Sequence, residues 1–184
     1  PWGCGGTSGA AVSAAPSALA PTRVSGTSPF AANCALSAGE TLFRNAEVEP
    51  YLAVSPINSQ LMIGVWQQDR WSGEGARGVL TARSADGGIT WSLPPPPPLS
   101  HCMGGTPANS GDYDRVSDPW LAFSADGLTV YQSAIAFTTA TGSAVLVSVS
   151  NDQGLSCSNP TRLVADVPVN GVLPFNDKDS VAAD

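Results

Sequence analysis

Charge is scarce in this 184-residue chain: only 12% of its residues are Asp, Glu, Lys or Arg. Positive charge is scarcest, with a single lysine, Lys178, and seven arginines scattered along the sequence. Nucleic-acid binding needs Lys and Arg clustered against the phosphates, so a net charge of −7 excludes that class of partner. There is one histidine, His101, and none of the four cysteines (Cys4, Cys34, Cys102, Cys157) forms a CxxC pair. The usual zinc sites are thereby removed, and His101 reads as a loop residue. No apolar run approaches the roughly 20 residues of a membrane-spanning helix, so no transmembrane segment is expected. Turn-forming and β-forming residues are abundant instead. Nineteen Gly and 16 Pro punctuate a background of Ser, Thr, Val and Ala, the profile of an all-β domain rather than a helical bundle.

Residues 1–33 carry almost no charge and few large apolar groups. Such a stretch buries too little surface to offset its ordering entropy, so a flexible low-complexity linker is expected. Cys4 followed by Gly5 and Gly6 has the form of a lipid-modified bacterial lipoprotein cysteine, against which Pro1 and Trp2 are poor preceding residues. The expected location is secreted, periplasmic or cell-surface, with lipidation of Cys4 as one form of the last.

Beyond the linker the chain repeats itself. Glu49-Pro50-Tyr51-Leu52-Ala53-Val54-Ser55 returns 69 residues later as Asp118-Pro119-Trp120-Leu121-Ala122-Phe123-Ser124. A third copy starts at Asp179-Ser180-Val181-Ala182-Ala183. A second pattern recurs in step. Ser84-Ala85-Asp86-Gly87-Gly88-Ile89-Thr90-Trp91 fits Ser-x-Asp-x-Gly-x-Thr-Trp throughout, and Ser150-Asn151-Asp152-Gln153-Gly154-Leu155-Ser156-Cys157 keeps its Ser, Asp and Gly. Cys34 and Cys102 flank the first repeat, so a disulfide between them is expected in an oxidising compartment; two buried free thiols are the alternative.

Each unit reads as four short strands, near 50–55, 60–67, 78–84 and 90–93, then near 119–124, 128–137, 143–150 and 155–164. Sixty-odd residues in four antiparallel strands make one propeller blade. The expected division is a blade over 49–98, a blade over 118–165 and the start of a third over 177–184. Pro94 to Pro98 form a stiff connector, because proline donates nothing to a ladder. Two blades cannot close a ring, so the rest of a propeller is expected in the same, longer chain.

The Ser-x-Asp-x-Gly-x-Thr-Trp pattern is the Asp box, and through it residues 40–184 resemble the opening part of sialidase-like Asp-box (BNR-repeat) β-propellers. The resemblance implies an all-β, six-bladed propeller. Ser84, Asp86, Gly88, Thr90, Trp91, Ser150, Asp152 and Gly154 then serve the scaffold rather than the chemistry. It also implies that Glu49, Asp118 and Asp179 take equivalent stations facing a central channel, with Lys178 and Asp177 beside the third. Asp69, Arg70 and Arg77 are expected to leave the second strand on the same functional face. Acids and arginines converging there suit a hydroxyl-rich or carboxylated ligand such as a carbohydrate; the bland reading is inter-blade ion pairs.

Sialidases grip a substrate carboxylate with three arginines. Arg83-Ser84 through Trp91 matches their box segment and Arg70 matches their second arginine. Val48-Glu49-Pro50 stands where their Arg-Ile-Pro would be, which removes one cation from the clamp. Gly75-Ala76-Arg77 occupies the place of their proton-donating Asp. Their tyrosine nucleophile would come from later blades, so the catalytic residues stay unassigned and the chain by itself is expected to be inactive. Two functions compete: an exo-α-sialidase-type glycoside hydrolase in the full-length protein, and a non-catalytic glycan- or protein-binding propeller. No cofactor or metal is assigned, and a cation held by Glu49, Asp118 and Asp179 is the weakest alternative.

Overall fold

The computed structural model describes residues 20–35, 39–138, 142–172 and 174–184. Cys4 and residues 1–19 of the expected linker lie outside them. Side-chain alternation marks the strands. In Gly142–Ser150 the residues Ala144, Leu146, Ser148 and Ser150 are buried, while Val145, Val147 and Val149 between them are half-buried. That is the period-2 signature of a strand covered mainly on one face.

Seven strands form, β1 (Leu42–Val54), β2 (Met62–Trp71), β3 (Ala76–Ser84), β4 (Arg115–Phe123), β5 (Val130–Thr138), β6 (Gly142–Ser150) and β7 (Thr161–Asp166). Helix is confined, among the described residues, to two single 3-10 turns, His101–Met103 and Pro107–Asn109. No helix among them is long and apolar enough to cross a membrane. Strand order in the open sheet is β1-β2-β3-β4-β5-β6-β7, every neighbour antiparallel. The β3–β4 link is a single pair, Ala76↔Val116. The sheet is therefore two blade-like ladders, β1–β3 and β4–β7, and β4 packs across β1 and β2. Their shared core draws Leu61, Ile63, Val65 and Val79 from the first ladder and Leu121, Phe123, Val130, Ala134 and Leu146 from the second.

The strand spans depart from expectation at the fourth position. In the first unit residues 90–93 give only the isolated bridge Arg83↔Ser92. The Thr90 N–H is spent on Asp86, and Pro94 to Pro98 have no N–H to offer. In the second unit a fourth strand forms but starts at Thr161, because Leu155 and Ser156 donate their N–H groups to Asp152. The second strand, expected to end near residue 67, runs on to Trp71. Residues 177–184 form no ladder.

Part of the expected linker is structural. Phe30 is 5% exposed and packs with Trp66, Leu80 and Ala82 on the face of β1–β3 away from the second ladder. Burying one such ring contributes about 1.5–3 kcal/mol, against an ordering cost of roughly 1–2 kcal/mol per residue. The ring alone cannot hold the segment, so covalent and polar anchors are required. Cys34 and Cys102 supply the first as a disulfide, Cα–Cα 4.9 Å, across 68 residues of sequence. Arg77 and Asp69 supply the second.

Both Asp boxes are turns closed by their own side chains. Asp86 Oδ1 accepts from the Thr90 N–H at 2.9 Å and from Ser84 Oγ at 2.8 Å, and the Thr90 hydroxyl donates to Oδ2. Asp152 accepts equivalently from Ser150 and Ser156. Gly154 sits at φ +86, where an added Cβ would stand 2.3 Å from Ile63 of the facing ladder. The second box therefore tolerates glycine only, for reasons of conformation and of contact. Cys157 fills the tryptophan position as a half-buried free thiol, its pKa pushed up to about 11 by burial and the nearby Asp152.

Asp86 is held down to about 2, first by the Thr90 hydroxyl, and Asp152 to about 2, first by the Ser156 hydroxyl. Each lies below the ordinary 3.8, so the ionised turn is favoured fully above about pH 4 and the advantage disappears as pH falls through 2. A carboxyl carbon-13 titration is expected to place both midpoints near 2; midpoints at the ordinary value would show that the turn bonds do not persist in solution.

Candidate functional site

The acid-proline pair of each repeat builds the same local device. On β1 the ladder slips between Val48 and Tyr51, and on β4 between Ser117 and Trp120. These are β-bulges in which the acid takes left-handed backbone, Glu49 at φ 52 and Asp118 at φ 51, and the following proline leaves no donor idle. A non-glycine residue there costs about 1–2 kcal/mol, which the surrounding ladder must hold in place. The bulge re-aims both carboxylates toward one another, and the aromatics that follow stack, Tyr51 on Trp120 with centroids 4.1 Å apart.

A hydrogen-bonded chain joins the two acids. Fully buried Gln67 on β2 donates Nε2 to Glu49 Oε2 at 2.5 Å and to Ser117 Oγ at 3.0 Å, and Ser117 Oγ donates to Asp118 Oδ1 at 2.6 Å. The Glu49 carboxyl is raised above its ordinary range, first by partial burial and then by the Asp118 charge, with which it shares a hydrogen-bonding contact. Lys178 Nζ stands 3.5 Å from Asp118 Oδ2 and 5.7 Å over the Trp120 ring. The third acid, Asp179, is raised by burial and by the same Asp118, and lies against Ser133.

Beside these acids is a cavity of about 140 Å³, lined by Glu49, Arg70, Glu74, Gly75, Ser117, Asp118, Ile135, Phe137, Phe175 and Asp177. Ile135 and Phe137 are buried, and Phe175, 44% exposed, meets Phe137 edge-on at the rim. Arg70 Nη1 donates to the Gly75 carbonyl at 2.8 Å. A larger hollow of about 360 Å³ lies elsewhere, between Val24, Pro50 and Trp66. Arg23, Ser25 and Glu47 also line it, and Ser25 Oγ already donates to Glu47 at 2.6 Å; the smaller cavity, where the two repeat acids meet, is the candidate site.

Of the sequence-derived candidates, Glu49, Arg70 and Asp118 line this cavity, and Lys178 and Asp179 adjoin it through Asp118. Asp69 and Arg77, expected on the same functional face, do not line it. Asp69 is fully buried and accepts from Ser28 Oγ at 2.7 Å and the Asn45 N–H at 2.8 Å. Arg77, 2% exposed, is 3.7 Å from Asp69 and donates to the carbonyls of Ala31, Ala32 and Ala35. Both serve the docked N-terminal segment. Arg77 and Arg115 both stand over the Trp71 ring, 5.9 and 5.3 Å from its centroid, and all three side chains are buried.

Gln67, Glu74 and Phe175 were missed as site residues. The strand pattern of β2 carries a signal for the first, since a buried polar residue inside a strand needs a partner. Glu74 and Phe175 lie in loops and give none. Among the described residues no group of three His, Cys, Asp or Glu side chains is arranged to hold a metal ion. No known family model matches the chain, and no curated protein matches it.

Proposed function

We propose that the chain is part of a sialidase-like Asp-box β-propeller whose functional face binds carbohydrate through the Glu49–Asp118 pair. The carrying observation is that two acids at equivalent repeat positions meet at one polar cavity, joined by Gln67 and Ser117. Unequal burial at equivalent positions supports the ring. Leu121 and Phe123 are 2% and 8% exposed against the first ladder, while their counterparts Leu52 and Val54 are 52% and 44% exposed. A face-to-back contact of this kind is heterologous and calls for another unit at each open face. Those units are proposed to lie in the same longer chain. The Cys34–Cys102 disulfide accords with an oxidising compartment, hence secretion or display at the cell surface.

On a glycan array the chain is expected to retain sugars, and Glu49→Gln or Asp118→Asn to weaken retention at least tenfold, about 1.4 kcal/mol. Retention of no glycan, or equal retention by both variants, would sink the reading.

A second reading, exo-α-sialidase-type hydrolysis by the full-length protein, is favoured by the Glu49 carboxyl. A carboxyl raised above its ordinary range by burial and by a second acid close by is the kind of pairing that glycoside hydrolysis uses. Its anionic substrate would have Arg70 as the cation lining the cavity, Arg77 being committed elsewhere. Release of a fluorescent aglycone from a sialoside by the full-length protein, lost in Arg70→Ala, would support it. No release would leave the binding reading alone.

A further inference from the structure

We propose that residues 24–35 are a cap standing in for a neighbouring blade, and that a second copy of this chain takes their place, head to tail, once the cap is released. The grounds lie in how the two repeats pack and are independent of the carbohydrate reading. The first is equivalence of position. The register sets Gly64 between Leu52 and Ala82 as it sets Gln132 between Leu121 and Ser148. Leu52 and Leu121 are the same residue of the repeated motif, so Trp66, Gly78 and Leu80 match Ala134, Ala144 and Leu146. Ala134, Ala144 and Leu146 are buried in the core shared with the first ladder. Trp66 and Leu80 are buried against Phe30 of the cap instead. An added Cβ at Gly78 would stand 2.5 Å from that ring, so glycine admits the cap where the second repeat has alanine.

The second ground is that the cap covers only part of what a blade covers. Leu121 and Phe123 are buried, whereas their equivalents Leu52 and Val54 stay exposed. A hollow of about 380 Å³ remains beside the cap, lined in part by Val24, Pro50, Leu52, Trp66 and Trp91. Apolar surface left open in this way favours a partner that closes it.

The third ground identifies the partner. On β3, three alternate residues receive the second ladder. Val79 joins the shared core, Thr81 Oγ1 donates to Gln132 Oε1 at 3.2 Å, and Arg83 Nε donates to the Gln153 carbonyl at 2.9 Å. Their equivalents on β6 are Val145, Val147 and Val149, uncharged and half-buried. The second ladder thus carries a receiving face of valines, and the first ladder carries Leu52 and Val54 for insertion. Bringing these side chains together takes no charge out of water. The two faces differ, so the contact is heterologous and joins copies head to tail.

Sedimentation velocity on the 184-residue chain across a range of concentrations tests this. The disulfide-bonded chain is expected to stay monomeric. Phe30→Ala with Cys34→Ser and Cys102→Ser is expected to self-associate at least about tenfold more strongly. Phe30→Ala alone, with the disulfide intact, is a milder release expected to act in the same direction, and it decides the matter if the triple variant does not fold. Adding Leu52→Lys or Val147→Lys to the released chain is expected to abolish self-association; the first side chain is exposed and the second half-buried. Mixing those two blocked chains is expected to give dimers and nothing larger, because each keeps the face that the other lacks. Association of the bonded parent as strong as that of the released chain would overturn the cap. A released chain that is folded and monomeric would overturn the second copy as occupant and leave the face to a later blade of a longer chain. Loss with Leu52→Lys but none with Val147→Lys would overturn the head-to-tail pairing.

Discussion

Replacing Arg77 by alanine is expected to lower the unfolding free energy by about 3–5 kcal/mol, the usual cost of removing one partner from a buried ion pair. The guanidinium is 2% exposed and its partner Asp69 is fully buried. Burial lowers the Arg77 pKa and the Asp69 charge raises it, so each charge makes the other tolerable. Removal leaves the carbonyls of Ala31, Ala32 and Ala35 without their shared donor and releases the segment that carries Phe30. Urea unfolding measures the loss, and limited proteolysis near residues 28–35 localises it. A double variant, Asp69→Asn with Arg77→Met, removes both charges and is expected to recover part of the stability. An Arg77→Ala protein within about 1 kcal/mol of the parent would show that the anchor is weak.

Reducing the Cys34–Cys102 bond, or replacing both cysteines by serine, is expected to cost about 4 kcal/mol, from the chain entropy of a loop of this length, closed across 68 residues. The bond ties the docked segment to the turn at His101–Met103, beyond the proline run. A lower urea midpoint in dithiothreitol is the measurement, and an unchanged midpoint would contradict it. The disulfide and Arg77 hold the same segment, so their losses are expected to fall short of additivity. Once either anchor is gone the segment frays, and the second has less left to hold.

The carbohydrate reading depends on the same anchors only indirectly. Glu49, Asp118 and Gln67 sit on β1, β4 and β2, whose ladders do not include residues 28–35. Loosening that segment should therefore cost more stability than ligand affinity. Affinity should track Glu49 and Asp118, the two acids that line the cavity from equivalent repeat positions.

Local chemistry was legible in the residues alone. The Asp boxes close through side chains four positions apart, Asp86 to Thr90 and Asp152 to Ser156, so the pattern dictates the turn wherever the chain places it. Repetition was equally informative: Glu49 and Asp118 share a motif, and equal backbone at the two positions follows from it, whereas the meeting of their carboxylates needs the two ladders to pack on each other. The disulfide followed from where its cysteines flank the first repeat.

Burial of charge was decided only by tertiary structure. Asp69 and Arg70 are adjacent, yet Asp69 turns inward to Ser28 and Arg77 while Arg70 lines the cavity. Alternation along β2 would distinguish them only if the position of the N-terminal segment were known, and that position rests on Phe30 docking from a stretch whose composition signals disorder. Phe175 reached the cavity rim through an edge contact with Phe137, 38 residues away in sequence. Contacts of this kind arise from packing between elements, whose energy depends on surfaces that no local pattern encodes.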